Sequence, residues 1–218
     1  MTDAMKGRAI FDLDGTLVDS APGITGCYRA ALAQMGYDLP ADAGVAAMIG
    51  PPLLDVCRGL LARFGDTRAE ELARRYRALY TEWGWSECAL YPGIEAALAA
   101  LADAGAALHV ATAKRTIYAL RMMDKLGIAQ RFASIRGSED GGAFDDKAVL
   151  LADVLRGGAG PAAMVGDSRF DIAAARANAI PAVAVAWGYG QPDEHAGAVV
   201  ATHAGELPAL IGGLFLQR

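Results

Sequence analysis

Short apolar runs of four or five residues recur along the chain and alternate with longer amphipathic segments. The runs are apolar at nearly every position, which is typical of strands buried on both faces of a sheet. They cover residues 8–11, 107–111, 132–135, 162–165 and 183–187. Between them lie segments with helical spacing, at residues 93–103, 117–126, 148–155 and 172–178. This alternation predicts βαβ units, and therefore an α/β fold with a parallel sheet between two helical layers.

Residues 20–88 interrupt the alternation. This segment has helical periodicity at 23–36, 52–64 and 67–83 and contains no convincing strand. Turn-forming residues border it on both sides, around Pro22 and around Pro92. We therefore predict a helical domain of residues 20–88, inserted into an α/β domain that is formed by residues 1–19 and 89–218.

The composition narrows the class of protein. Hydrophobic residues make up 54% and charged residues 21% of the 218 residues, which excludes disorder as the main state. The formal net charge of −5 disfavours nucleic acid as a partner. The sequence has no uninterrupted run of 18 apolar residues, so no membrane span is predicted. The three cysteines are widely spaced and indicate reduced core residues rather than disulfides. The sequence thus predicts an acidic, globular, cytoplasmic protein.

Polar residues follow three of the predicted strands at the point where each strand ends. They are Asp12 and Asp14 after the first strand, Thr112 after the second, and Asp167 after the fourth. In open parallel sheets, ligands bind outside the carboxyl ends of the strands. We therefore expect these side chains to converge on one site.

Asp12 and Asp14 admit two interpretations. On an extended strand two carboxylates at this spacing would face the same way and repel each other unless a cation or a proton lay between them. Together with Asp167 they would form an oxygen-rich set that suits Mg²⁺. Alternatively, the two side chains merely cap a turn, and their spacing leaves both interpretations open.

Residues 11–20, Phe-Asp-Leu-Asp-Gly-Thr-Leu-Val-Asp-Ser, resemble the first signature of the haloacid dehalogenase superfamily of phosphatases. Residues 110–112, Lys147 and residues 166–171 resemble the second, third and fourth signatures in the same order, although Ala148 stands where many relatives have proline. Within the family, residues 49–53 and 91–93 are similar to the phosphoglycolate phosphatase-like branch. The resemblance implies a Rossmann-like catalytic core with an inserted helical cap, residues 20–88, that supplies specificity.

The resemblance also implies a two-step phosphoryl transfer through an aspartyl-phosphate. Asp12 would attack phosphorus, and Asp14 would protonate the leaving oxygen and later deprotonate the attacking water. Mg²⁺ would be held by the Asp12 carboxylate, the Asp14 backbone carbonyl and Asp167. Asp171 would support the metal site, or it would simply lie in the first turn of its helix.

Further residues are implied to bind the substrate. Thr112 and Ala113 would contact the phosphoryl group, and Lys147 would balance charge on the nucleophile and the intermediate. Arg58, in the cap, would meet a substrate carboxylate or a second phosphate, or it would remain a solvated helix residue. Lys114 and its neighbour Arg115 would touch the substrate or remain solvated loop charges, and the sequence leaves both interpretations open.

We therefore predict Mg²⁺-dependent hydrolysis of a small phosphomonoester, with 2-phosphoglycolate as the leading substrate. Nucleoside monophosphates and sugar phosphates are the alternatives, and a phosphoglucomutase-type phosphotransferase would carry the same motifs. A founding-type dehalogenase is disfavoured because it would have no purpose for Asp14. A signalling receiver domain is disfavoured by the Asp-Gly-Thr turn and the inserted helices, and an inactive binding module by the complete motif set. The sequence leaves monomer and homodimer open.

Overall fold

A computed structural model describes residues 6–40, 42–44, 48–140, 142 and 144–216. The chain divides into two compact units, one formed by Met1–Asp19 and Ala89–Arg218 and the other by Ser20–Cys88. The larger unit is α/β and the smaller unit is helical. In the part of the chain that the structure describes, every helix is too short or too polar to cross a membrane.

The larger unit is built on a six-stranded sheet whose neighbouring strands all pair in parallel. A short antiparallel pair accompanies this sheet. The strands are β1 (Arg8–Phe11), β2 (Val18–Asp19), β3 (Ala89–Leu90), β4 (Ala107–Arg115), β5 (Ser134–Ser138), β6 (Ala162–Gly166), β7 (Ala182–Val185) and β8 (Val199–Ala201). The order in the large sheet is β5-β4-β1-β6-β7-β8, whereas β2 pairs with β3.

The helices flank this sheet in the larger unit, and three of them lie in the smaller unit as the structure describes it. Their bounds are α1 (Ala21–Ala33), α2 (Leu53–Ala62) and α3 (Ala69–Glu82) in the smaller unit, and α4 (Ile94–Asp103), α5 (Thr116–Lys125), α6 (Lys147–Arg156), α7 (Arg169–Ala177) and α8 (Leu207–Leu216) in the larger one. α6 and α7 pack against each other and against the sheet, and α4 and α8 do the same. The predicted α/β class is confirmed.

Burial explains why the apolar runs become strands. Ile10, Met164 and Val165 have no exposed surface, and Ile10 and Met164 pack with Leu150 and Leu151 of α6. Removing apolar surface from water contributes about 25 cal/mol per Å², so a strand that is covered on both faces gains from every position. The central strands therefore read as continuous apolar runs rather than as alternating ones.

Four elements of the larger unit, β2, β3, β8 and α8, are absent from the sequence-based prediction. β8 and the β2–β3 pair contain only three and two residues per strand, too few to show a period. α8 contains Gly212 and Gly213, which lower intrinsic helix propensity by about 1 kcal/mol each. Apolar burial of Leu207, Ile211 and Phe215 outweighs that propensity.

The smaller unit contains a close backbone approach. α3 packs against both α1 and α2, and Tyr28 of α1 stacks on Tyr76 of α3 with ring centroids 4.3 Å apart. Near the start of α1, a Cβ added at Gly23 would lie 2.0 Å from the carbonyl oxygen of Gly84. Because both partners at this contact are backbone, neither can rotate away.

We predict opposite effects from alanine at two glycines of the smaller unit. Gly23→Ala forces the backbones apart and should destabilise the unit by about 1–3 kcal/mol. Gly59→Ala, in α2, meets no atom of the described residues within 4 Å and should stabilise it by about 0.5–1 kcal/mol through helix propensity. Thermal unfolding followed by circular dichroism should show a lower midpoint for the first variant and a higher one for the second. A raised midpoint for Gly23→Ala would contradict the close approach.

Candidate active site

The carboxyl ends of three adjacent strands, β4, β1 and β6, bring the predicted polar residues together. β1 pairs in register with both neighbours, so that Phe11 lies opposite Val110 and Val165. The next residue, Asp12, is buried, and its backbone N–H donates to the carbonyl oxygen of Val165 at 2.9 Å. Parallel register therefore places the first acidic residue beside the residues that follow β4 and β6.

Lys147 joins two of the carboxylates. Its Nζ lies 2.9 Å from Asp12 Oδ2 and also contacts Asp171 Oδ1. The Lys147 side chain is 9% exposed. A lysine at the first position of a helix is disfavoured by the helix dipole. Here Asp146 caps α6 by accepting from the N–H groups of Ala148 and Val149, and the two buried carboxylates supply the charge partners.

Asp171 is fixed by its own helix. Its Oδ2 accepts hydrogen bonds from the backbone N–H of Ser168 at 3.0 Å and from the Ser168 hydroxyl at 2.7 Å, across the first turn of α7. Its other oxygen faces Lys147. Asp171 therefore lies in the first turn of its helix and also contacts Lys147, and its support of a metal site stays a prediction.

Asp167 is held by the segment that follows β7. Its Oδ2 accepts from the backbone N–H groups of Tyr189 at 2.7 Å and Gly190 at 3.1 Å. Its backbone carbonyl accepts from Nε2 of the buried His195 at 3.0 Å, which requires the proton on that nitrogen. On the other side, the Thr16 hydroxyl donates to Asp167 Oδ1 at 3.4 Å.

Two glycines allow this close packing around Asp167. A Cβ added at Gly188 would lie 2.3 Å from the Cβ of Asp167, and one at Gly15 would lie 2.3 Å from Asp167 Oδ2. Gly15 also has a φ of +78°, which side chains disfavour. Sequence reasoning missed Tyr189 and Gly190 because they contribute backbone N–H groups, and it missed His195 because its imidazole binds a backbone carbonyl. The Gly-Tyr-Gly spacing at 188–190 was the available signal.

Asp14 has a partner of its own. β1 ends at Phe11, and Asp14 lies in the turn that follows, so the two first-motif aspartates do not share a strand face. The Nζ of Lys114 lies 2.8 Å from Asp14 Oδ2, and the Lys114 side chain is only 7% exposed. The structure therefore disagrees with the solvated interpretation of Lys114 and pairs each first-motif aspartate with a different lysine.

An irregular stretch of β4 positions Thr112, Ala113 and Lys114. Ala111 pairs with Arg136, and Arg115 pairs with Ser138. Between these two pairs, β4 contains two more residues than β5. Extra residues of this kind bend a strand and redirect its side chains. The Thr112 hydroxyl accepts from the Lys114 N–H at 3.2 Å, and the Ala113 carbonyl accepts from the Ser138 hydroxyl at 3.0 Å.

Burial and charge determine the protonation of the cluster. Burial raises the pKa of Asp12 to about 7; Lys147 opposes this shift, and the charges of Asp171 and Asp167 reinforce it. Burial alone would lower the pKa of Lys147, but Asp12 and Asp171 outweigh it and raise that pKa. Burial, followed by the charge of Asp171, raises the pKa of Asp167. The carboxylates are therefore incompletely neutralised by the lysines.

The donor set fits a divalent cation with oxygen ligands. One carboxylate oxygen from each of Asp12, Asp167 and Asp171 lies within 4.8 Å of the others. Asp12 Oδ1 is buried and accepts no hydrogen bond from the residues that the structure describes. Hard carboxylate oxygens of this kind are typical ligands of Mg²⁺. The Asp14 carboxylate is bound to Lys114 instead, and coordination by the Asp14 backbone carbonyl stays a prediction.

Arg58 belongs to the smaller unit. It lies on α2 and forms an exposed ion pair with Asp55, one helical turn earlier, at 2.7 Å. Such exposed pairs contribute at most about 1 kcal/mol, so the pair does not prevent Arg58 from meeting another anion. Its predicted role in substrate binding stays a prediction.

Several known proteins are similar in sequence to this chain over most of its length. The sequence profile of the haloacid dehalogenase-like hydrolases matches residues 9–185. The tyrosine-protein kinase PtkA of Mycobacterium tuberculosis is 38% identical over 206 residues, covering 92% of this chain and 70% of the kinase. A 5'-nucleotidase of Pseudomonas aeruginosa is 35% identical over 188 residues, covering 85% of each. A phosphoglycolate phosphatase of Yersinia pseudotuberculosis is 34% identical over 218 residues, covering 95% and 94%.

The fold has close counterparts among solved structures. A haloacid dehalogenase-like family hydrolase from Streptococcus pneumoniae superposes with a TM-score of 0.85 at 29% identity. The match covers 94% of this chain and 98% of that protein. It therefore extends over the α/β part and the helical part of the chain alike.

We predict that Lys147→Met destabilises the protein far more than Arg156→Met does. Lys147 begins α6 and neutralises two buried carboxylates, and removing one partner of a buried pair costs about 3–5 kcal/mol. Arg156 ends the same helix in an exposed pair with Asp153, which is worth at most about 1 kcal/mol. Urea denaturation followed by circular dichroism measures both. Equal losses would show that the buried pair carries no special weight.

Proposed function

The chain belongs to the haloacid dehalogenase-like hydrolases and is a phosphatase, and from this premise we propose that it hydrolyses a small phosphomonoester with Asp12 as the nucleophile and Mg²⁺ as the cofactor. The observation that carries the proposal is the state of the Asp12 carboxylate. Oδ2 is bound by Lys147, whereas Oδ1 is buried and accepts no hydrogen bond from the described residues. One oxygen is thus oriented and the other keeps its lone pairs.

The proposed reaction proceeds in two steps. One carboxylate oxygen of Asp12 would form a bond to phosphorus while the ester P–O bond breaks, and Asp14 would give its proton to the leaving oxygen. Asp14 then takes a proton from water, whose oxygen attacks phosphorus and releases the Asp12 carboxylate with inorganic phosphate. The separate lysine partners of Asp12 and Asp14 support this division, because they fix the two carboxylates in different places.

Mg²⁺ is the proposed cofactor because the acidic cluster is undercompensated. Asp12, Asp14, Asp167 and Asp171 contribute four negative charges when ionised, and Lys114 and Lys147 contribute two positive ones. Asp12, Asp167 and the Asp14 carbonyl would hold the ion, with Asp171 beside it. A bound divalent cation supplies the charge neutralisation that lets a carboxylate approach a phosphate dianion.

Thr112 and Ala113 are the proposed phosphoryl contacts. Because the Thr112 oxygen accepts from the Lys114 N–H, its own hydroxyl proton is available to a phosphoryl oxygen. The Ser138 hydroxyl fixes the adjacent Ala113 peptide. Lys147 would hold charge on the phosphoenzyme, and the contact of its ammonium with Asp12 supports this role.

The substrate that we propose is a small phosphorylated metabolite in the cytoplasm, with 2-phosphoglycolate first. The similarity of residues 49–53 to the phosphoglycolate phosphatase-like branch and the phosphoglycolate phosphatase relative support this choice. The 5'-nucleotidase relative favours nucleoside monophosphates as the alternative. We propose that the helical unit, including Arg58, selects among them. Values of kcat/KM for a panel of both classes, with sugar phosphates and a phosphotyrosine peptide, decide the ranking.

We predict that removal of divalent cations abolishes turnover. EDTA should stop phosphate release and excess Mg²⁺ should restore it, because three clustered carboxylates otherwise repel the substrate. Calcium should support little activity, since its looser coordination misplaces the nucleophile. EDTA presaturated with Mg²⁺ is the control for effects of the chelator itself. Undiminished turnover in metal-free EDTA would contradict the metal site.

We predict that Asp12→Asn and Asp14→Asn fail differently. An amide cannot attack phosphorus, so Asp12→Asn should lose all covalent turnover. Asp14→Asn should lose about 10²–10⁴-fold with alkyl phosphates, the usual contribution of general acid–base catalysis, and less with p-nitrophenyl phosphate, whose leaving group needs little protonation. Mass spectrometry after a rapid acid quench should detect a phosphoryl adduct on the peptide that contains Asp12 in the Asp14→Asn variant. The Asp12→Asn variant should show no adduct. Equal losses with every ester and no adduct would reject these roles.

A further inference from the structure

We propose that Lys114 is the positioning residue for Asp14, fixing its Oδ2 so that Oδ1 is the atom that exchanges the proton with the leaving group and with water. The inference rests on the proposed function, in which Asp14 is the general acid and base. It adds a residue outside the four signature positions and distinguishes the two oxygens of one carboxylate.

The contact itself is short and shielded from solvent. Lys114 Nζ lies 2.8 Å from Asp14 Oδ2, and the two side chains are 7% and 16% exposed. Charge-assisted hydrogen bonds of this length are stronger than neutral ones, and shielding from water limits their screening. Asp14 Oδ1 is buried and accepts no hydrogen bond from the described residues. One oxygen of Asp14 is therefore tethered and the other is available.

The backbone around Lys114 is built to hold this side chain in place. The lysine lies in the irregular stretch of β4 between Ala111 and Arg115. The neighbouring strand β5 lies close beside it, since a Cβ added at Gly137 would lie 2.1 Å from the Lys114 carbonyl oxygen. The Lys114 N–H donates to Thr112, which links the positions of the two side chains. A solvated loop lysine would need none of these constraints.

A direct contact between Lys114 and the phosphoryl group is the competing role, and leaving-group dependence separates the two. A phosphoryl contact serves every phosphomonoester alike, because all share the same transferred group. A residue that acts through Asp14 matters only where the leaving oxygen needs a proton. Its removal should therefore penalise alkyl phosphates and spare p-nitrophenyl phosphate in the bond-breaking step.

The experiment compares Lys114→Met with Lys114→Arg, which retains a donor, and with Arg136→Met as the control. Arg136 lies on the neighbouring strand β5, where its side chain is exposed and lies 3.9 Å from Asp153. Single-turnover rates of phosphoenzyme formation with an alkyl phosphate and with p-nitrophenyl phosphate are measured at saturating Mg²⁺. Circular dichroism and thermal melts confirm that each variant is folded.

We expect Lys114→Met to lose about 10- to 10²-fold with the alkyl phosphate and less than about 3-fold with p-nitrophenyl phosphate. Lys114→Arg should recover part of the loss, and Arg136→Met should match the wild type. In the Asp14→Asn background, Lys114→Met should cause no further loss. A uniform loss with both esters, an additional loss in the double variant, or no loss at all would overturn the inference.

Crystal structures of the wild type and of Lys114→Met supply a readout that does not depend on activity. The Asp14 carboxylate should leave its position when the lysine is removed, and an unmoved carboxylate would overturn the positioning role. A wild-type protein that hydrolyses neither ester would instead refute the proposed function. The two failures are therefore distinguishable.

Discussion

Three aspartates, Asp12, Asp167 and Asp171, are buried at the carboxyl edge of the sheet, and the surrounding residues have to compensate their charge. Moving a carboxylate out of water costs several kcal/mol unless charges and hydrogen bonds replace the lost hydration. The larger unit supplies those replacements from remote parts of the chain: Lys147 for Asp12 and Asp171, Lys114 for Asp14, and backbone N–H groups for Asp167. The parallel register of β4, β1 and β6 makes this possible, because it brings the strand ends to one level.

Separate lysines give two chemically identical residues different roles. Asp12 and Asp14 are two positions apart, and each is bound by a different lysine. Asp12, bound by Lys147, belongs to the acidic cluster with Asp167 and Asp171, whereas the Asp14 carboxylate is bound by Lys114. Environment rather than residue type therefore separates a nucleophile from a proton carrier in the proposed mechanism.

The sequence predicts the elements that repeat a period and the side chains that occupy motifs. The buried strands and the long helices are recovered because apolar burial imposes their pattern, and the family prediction is confirmed. Short elements such as β8 escape, since three residues carry no period. The sequence does not predict the partners of Asp167, because Tyr189 and Gly190 contribute backbone N–H groups, which nearly every residue type has. The pairing of Lys114 depends on an irregularity in β4 that no spacing rule anticipates.

The neutral donors on Asp167 explain why the cluster keeps an excess of negative charge. If a third lysine replaced these amide groups, only one negative charge would remain uncompensated, and a divalent cation would overneutralise the site. Backbone N–H groups satisfy the Asp167 oxygen without adding charge, and Gly188 admits the segment that carries them. The backbone N–H groups therefore fix the position of the Asp167 carboxylate without neutralising its charge. This arrangement leaves the charge of the carboxylate available to a bound cation.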